Sequence, residues 1–116
     1  MKENMQLLIL ILKKYDLVEN ILQELAKADV KGGTVIEGTG MANALVNLED
    51  LPMFGMLRHM ITDQEKEVCK VMMFVIREEQ EMTARKIIKD IVGNINEPNT
   101  GIMFSLPINN VEGFGE

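Results

Sequence analysis

The stretch 94–111 reads Asn94-Ile95-Asn96-Glu97-Pro98-Asn99-Thr100-Gly101-Ile102-Met103-Phe104-Ser105-Leu106-Pro107-Ile108-Asn109-Asn110-Val111. Its first half clusters Asn, Pro and Gly, residues that tolerate or fix the backbone angles of turns. The run from Ile102 to Leu106 is short and apolar, bounded by Gly101 before it and by Pro107 after it, the pattern of a strand that the proline ends. An earlier stretch repeats the theme: Gly32 and Gly33 feed the β-branched run Thr34-Val35-Ile36-Glu37, and Gly38-Thr39-Gly40 follows. The chain therefore reads as two similar halves, and the remainder can be placed around these two passages.

Ahead of the later passage, positions 78–92 predict a helix. Ala84, Ile87, Ile88, Ile91 and Val92 form one apolar stripe, Glu78, Glu79 and Glu81 stand at the start, and Lys86 and Lys89 lie near the end, in keeping with the helix dipole. Gly93 closes it. Positions 68–76 are apolar except Lys70 and predict a central strand. In the earlier half, positions 5–12 are apolar except Gln6, as a strand buried on both faces would be. Asp16 then opens a helix, with Glu19 at capping-box spacing and Leu17, Val18, Ile21, Leu22 and Leu25 on one side. That helix fades near Ala28. Between the halves, Met53, Met56, Leu57, Met60 and Ile61 recur at helical spacing behind the cap Asp50 and Pro52, while 41–48 reads as loop or weak helix.

Two βαβ units joined through an insert predict an α+β, ferredoxin-like βαββαβ sandwich: a four-stranded antiparallel sheet with two helices on one face. The first and third strands are apolar at nearly every position, so both sheet faces call for cover, and two helices cover only one. Burying the bare face would contribute about 25 cal/mol per Å² of apolar area. A closed homo-oligomeric ring is the symmetric way to do so.

The chain has 116 residues, enough for one domain with a real core, and a formal net charge of −6. That charge argues against a nucleic-acid partner, which calls for clustered Lys and Arg. A single cysteine, Cys69, permits no intrachain disulfide and reads as a buried structural thiol in a reducing compartment. The apolar run ending at Lys13 is too short to span a bilayer and no small-residue cleavage site follows it, so the expectation is a soluble, cytoplasmic protein. There is no Ser-His-Asp set, metal cluster or phosphate-binding glycine loop, and no cofactor can be named.

The order and spacing of three motifs resemble the PII-like signalling family, the nitrogen-regulatory PII proteins and their shorter relatives. Lys13-Lys14-Tyr15-Asp16-Leu17 is similar to the family's first strand-to-helix junction. Gly33-Thr34-Val35-Ile36-Glu37 resembles the strand that leads into its large T-loop, and Gly101 to Ile108 resembles its glycine-led final strand ending in Leu-Pro-Val. The resemblance covers nearly the whole chain and implies a single PII-like domain over 1–116. In it, the T-loop is shortened and replaced by the Met-rich helical insert 41–66. It also implies a homotrimer with small-molecule effectors, adenine nucleotides or related molecules, held in clefts between subunits. The T-loop would then report the bound state to a protein target such as a transporter or an enzyme.

Carried over by position, the ligand-binding residues are Gly38, Thr39, Gly40 and Met41 on one wall and Asn96, Asn99, Thr100 and Gly101 on the other. Gly38-Thr39-Gly40 reads equally as an anion-binding nest of amides or as a tight turn. The insert offers Met53, Met56, Arg58, His59 and Met60 as a docking surface, flexible methionines suiting adaptable contacts, or as packing over the cleft or the sheet edge. His59, the only histidine, reads as a surface group. The chain departs from ATP-binding relatives in having no basic residue in the loop 96–101 and no arginine in 109–116, where Glu97, Glu112 and Glu116 stand instead. That favours a less charged effector. Two other readings stay open: a trimeric interaction module that has lost effector binding, and a small hydrolase on the same sandwich.

Overall fold

The computed structural model describes residues 4–41 and 68–114, with Tyr15 described in its backbone alone. The insert helix expected at 51–61 lies outside the described residues, as do Met53, Met56, Arg58, His59 and Met60.

The elements follow the order β1 (Met5–Leu12), α1 (Val18–Lys27), β2 (Gly33–Gly38), β3 (Cys69–Arg77), α2 (Glu81–Val92) and β4 (Gly101–Ile108). They build a four-stranded antiparallel sheet in the order β2-β3-β1-β4, the ferredoxin-like arrangement that the two βαβ units predict. The two long apolar runs, β1 and β3, take the centre, where their backbones are paired on both sides.

Alternation along the strands then decides what is buried. In β1, Leu8, Leu10 and Leu12 are fully buried, and their partners Phe74 and Met72 on β3 lie on the same face with Ile76. Ile21 and Leu25 of α1 and Ala84, Ile88 and Val92 of α2 pack onto that face and complete a single core. Both helices thus cover one face, and the expected stripes are the ones buried, with Leu17, Val18, Leu22, Ile87 and Ile91 packed around their margins.

The other face carries three apolar rows running across the sheet. They are Ile36–Val71–Ile11–Ile102, then Thr34–Met73–Ile9–Phe104, then Val75–Leu7–Leu106. No described helix covers them. Ile36, Ile102, Phe104 and Leu106 are exposed and the central residues only half-buried. The expectation that β1 is buried on both faces therefore fails among the described residues, because no described helix covers this layer.

Two local expectations also need correction. Asp16 and Glu19 form no capping box. The chain enters α1 through a 3-10 turn, Tyr15–Leu17, in which the Leu17 amide donates to the Lys14 carbonyl at 3.1 Å, leaving Leu17 at the N-cap without a side-chain cap bond. Pro107 does not end β4. It lies inside the strand opposite Gln6, tolerated because β4 is an edge strand on which a missing N–H costs no ladder bond.

Helix ends match the sequence more closely. α1 closes in a Schellman motif: Asp29 takes a left-handed φ of 68°, the Val30 amide reaches back to the Leu25 carbonyl at 2.9 Å, and Val30 is buried beside it. α2 ends at Gly93, whose φ of 84° continues no helix.

Candidate functional site

The two walls expected from the sequence lie at the same end of the sheet. Gly38, the last residue of β2, pairs with Cys69, and Gly101, the first of β4, pairs with Leu12, itself opposite Lys70. They stand on opposite edges, three strand spacings or about 14 Å apart. β2 runs toward this end and β4 runs away from it, so the strand leaving one wall and the strand entering the other are antiparallel. Within one chain the residues expected to bind a ligand do not converge.

At the β2 wall, Gly38 is tightly packed: a Cβ there would lie 3.0 Å from the Cys69 sulfur and 3.2 Å from a Val71 methyl. Cys69 is buried in this contact, as a structural thiol would be. Thr39 is exposed, Gly40 is half-buried with open space around its α-carbon, and Met41 is 78% exposed. Glu37 and Lys70 face each other across β2 and β3 at 3.8 Å, so Lys70 beside this wall already has a carboxylate.

The β4 wall is a chain of turns. The Asn94 side chain accepts from the Asn96 amide at 3.0 Å, its carbonyl accepts from the Glu97 amide at 3.1 Å, and Asn99 adopts a left-handed φ of 61°. Asn96 is exposed, Asn99 half-buried and Thr100 1% exposed. The Thr100 hydroxyl is buried with no hydrogen-bond partner among the described residues, while its carbonyl accepts from the Lys13 amide at 2.9 Å. Gly101 is held by close approach: a Cβ there would sit 2.5 Å from the Ile11 carbonyl oxygen.

One feature of this wall escapes a reading of its own loop. The Lys13–Thr100 bond brings the junction Lys13-Lys14 against the loop 96–101, so two lysines stand beside a segment that contains none. The signal lay in the strand register, since Leu12 opposite Gly101 puts Lys13 opposite Thr100.

No protein-family model matches the sequence, and no curated protein matches it. Solved structures do match over almost the whole chain. A functionally unknown protein from Pediococcus pentosaceus aligns at TM-score 0.64 and 17% identity, covering 97% of this chain and 100% of its own. The PII protein of Arabidopsis thaliana, solved bound to citrate, aligns at TM-score 0.60 and 17% identity, over 92% of this chain and 79% of its own. GlnK of B. subtilis, solved as an ATP complex, aligns at TM-score 0.58 and 16% identity, over 93% of this chain and 84% of its own. At such identities the likeness is one of fold, and the fold is PII-like.

Proposed function

We propose that this chain is an effector-responsive regulatory protein that works as a homotrimeric ring, holding a small molecule in each cleft between neighbouring copies. The observation that carries the reading is the placement of the two walls. Gly38 to Met41 and Asn96 to Gly101 lie at one end of the sheet but on opposite edges, and β2 and β4 run in opposite senses there. A head-to-tail ring lays the β2 edge of one copy beside the β4 edge of the next. Each cleft then receives one wall from each copy. The same contact covers the apolar rows that the helices leave bare, giving the assembly its driving force.

The chemistry of the cleft is mixed. Lys13 and Lys14 border the β4 wall and attract an anion, while Glu97 within the loop 96–101 opposes a high charge. This combination favours a singly or doubly charged effector, such as a nucleoside monophosphate or a small carboxylate, over a triphosphate. Two neighbours of this fold were solved with citrate and with ATP, which makes those two the natural first probes. The bound state would reach a protein target, such as a transporter or an enzyme, through residues 41–66, with Met53, Met56, Arg58, His59 and Met60 as the docking surface. Among the described residues no helix is long and apolar enough to cross a membrane. A cytoplasmic setting fits a regulator of this kind.

Sedimentation velocity combined with calorimetry on AMP, ATP, citrate, bicarbonate and 2-oxoglutarate tests the reading. The expected result is a trimer that binds one of the less charged compounds at one site per protomer, with affinity lowered by Lys13→Ala. A trimer that binds none of them supports the second reading, an interaction module without an effector, which the acidic Glu97 favours. A single protomer at every concentration overturns both.

A further inference from the structure

The segment 109–114 leaves β4 where Ile108, Met5 and Arg77 lie abreast, at the end of the sheet away from the candidate cleft. Its last described residues, Gly113 and Phe114, line a cavity of about 770 Å³ together with Gly32 and Gly33 at the opposite edge. Six extended residues reach about 20 Å, enough to cross the three strand spacings between β4 and β2. Leu7, Met73 and Val75, all three from the apolar rows of the open face, also line this open groove, beside the polar Lys31, Arg77 and Gln80. Phe114 is half-buried there.

Two features of this contact matter together. Phe114 shields part of the apolar face that no described helix covers. It does so loosely, because the ring is only half-buried at the end of an exposed segment. Leu7, Met73 and Val75 are also residues that a neighbouring copy must reach when the open face is covered.

We propose that 109–114 is a displaceable strap, anchored by Phe114, that covers the assembling face in the single protomer and leaves it as copies associate. The inference rests on the ring reading above. The strap then sets the concentration at which the ring forms: each incoming copy first displaces a half-seated phenylalanine and then packs its own apolar side chains on Leu7, Met73 and Val75.

The test compares the full chain with Phe114→Ala and Phe114→Leu by sedimentation velocity across a concentration series. Losing half of a buried phenylalanine's contribution corresponds to roughly a five- to tenfold lower concentration at the association midpoint for F114A. F114L, which keeps an apolar anchor, should stay near the full chain. If F114A assembles at the same or a higher concentration while the full chain forms a trimer, the strap is overturned and the ring stands. If all three remain single protomers, both fall. Native mass spectrometry adds a further outcome. A small molecule retained by the full chain and lost from F114A would make the segment a lid over a ligand, which also overturns the strap.

Discussion

At the residue scale, two positions show different reasons for a backbone to demand glycine. Gly101 is required by space: any Cβ would press on the Ile11 carbonyl across the β1–β4 ladder. Because that neighbour is backbone in a central strand, it cannot give way, and Gly101→Ala should cost about 1–3 kcal/mol, the range for overpacking a well-packed site. Gly93 has open space around it but a φ of 84° and ψ of −141°, a conformation an L side chain rarely adopts. Gly93→Ala should cost about 1–2 kcal/mol from conformation alone. Urea denaturation of both variants distinguishes the causes, since Gly101→Ser should be worse than Gly101→Ala while Gly93→Ser and Gly93→Ala should match. Equal losses at all four would remove the steric account of Gly101. Gly93 was legible as a helix stop. The constraint on Gly101 was not, because it comes from a strand some 90 positions earlier that only pairing brings near.

At the element scale, the contact between α2 and β4 depends on a polar clip. The Ser105 hydroxyl donates to the Glu81 carboxylate, Arg85 Nε donates to the same carboxylate at 3.1 Å, and Arg85 Nη2 donates to Ser105 Oγ at 2.8 Å. The Ser105 hydrogen bond, assisted by Arg85 and opposed by burial, holds the Glu81 carboxyl below its ordinary value of 4.5. A carboxylate with a lowered folded pKa stabilises the fold at pH values above its unfolded pKa. That contribution is lost as pH falls below 4.5 and through the folded value. Ser105→Ala should lower stability at pH 7 by about 1 kcal/mol, the net worth of a typical hydrogen bond. It should also flatten the loss of stability on acidification below pH 4.5. Thermal melts from pH 7 to pH 3 measure both, and a mutant whose acid profile parallels the parent would exclude the clip as its source. None of this could be read from the sequence, where Ser105 is one polar residue in an apolar run and Glu81 one acid among three. The strand register turns Ser105, opposite Leu8, toward the helices. Pro107 misled for a related reason: proline stops a central strand, and the sequence does not say that β4 is an edge.

At the scale of the whole molecule, periodicity alone gave the element order and the buried stripes, since each amphipathic face states what it must bury. It also showed that one sheet face lacks cover. What the sequence could not give was the position of the two candidate walls, because β2 and β4 become opposite edges only when β3 and β1 fill the centre. On the proposed reading that arrangement makes the binding site a property of the assembly, so effector binding and association should rise and fall together. Phe104 is the place to test this. It lies in the middle apolar row of the open face, 41% exposed, opposite Ile9 and away from the helix-side core. Phe104→Asp therefore places a charge in the layer proposed to be covered without disturbing Leu8, Leu10 or Met72 beneath the helices. Burying an unpaired carboxylate costs several kcal/mol at each contact it enters, enough to shift a micromolar association by about a thousandfold or more. The expected outcome is a folded single protomer with the parent's circular dichroism and no effector binding, although none of Gly38 to Met41 or Asn96 to Gly101 has been altered. If F104D lost the ring yet bound the effector with unchanged affinity, both walls would have to act within one copy, across the roughly 14 Å that four paired strands impose.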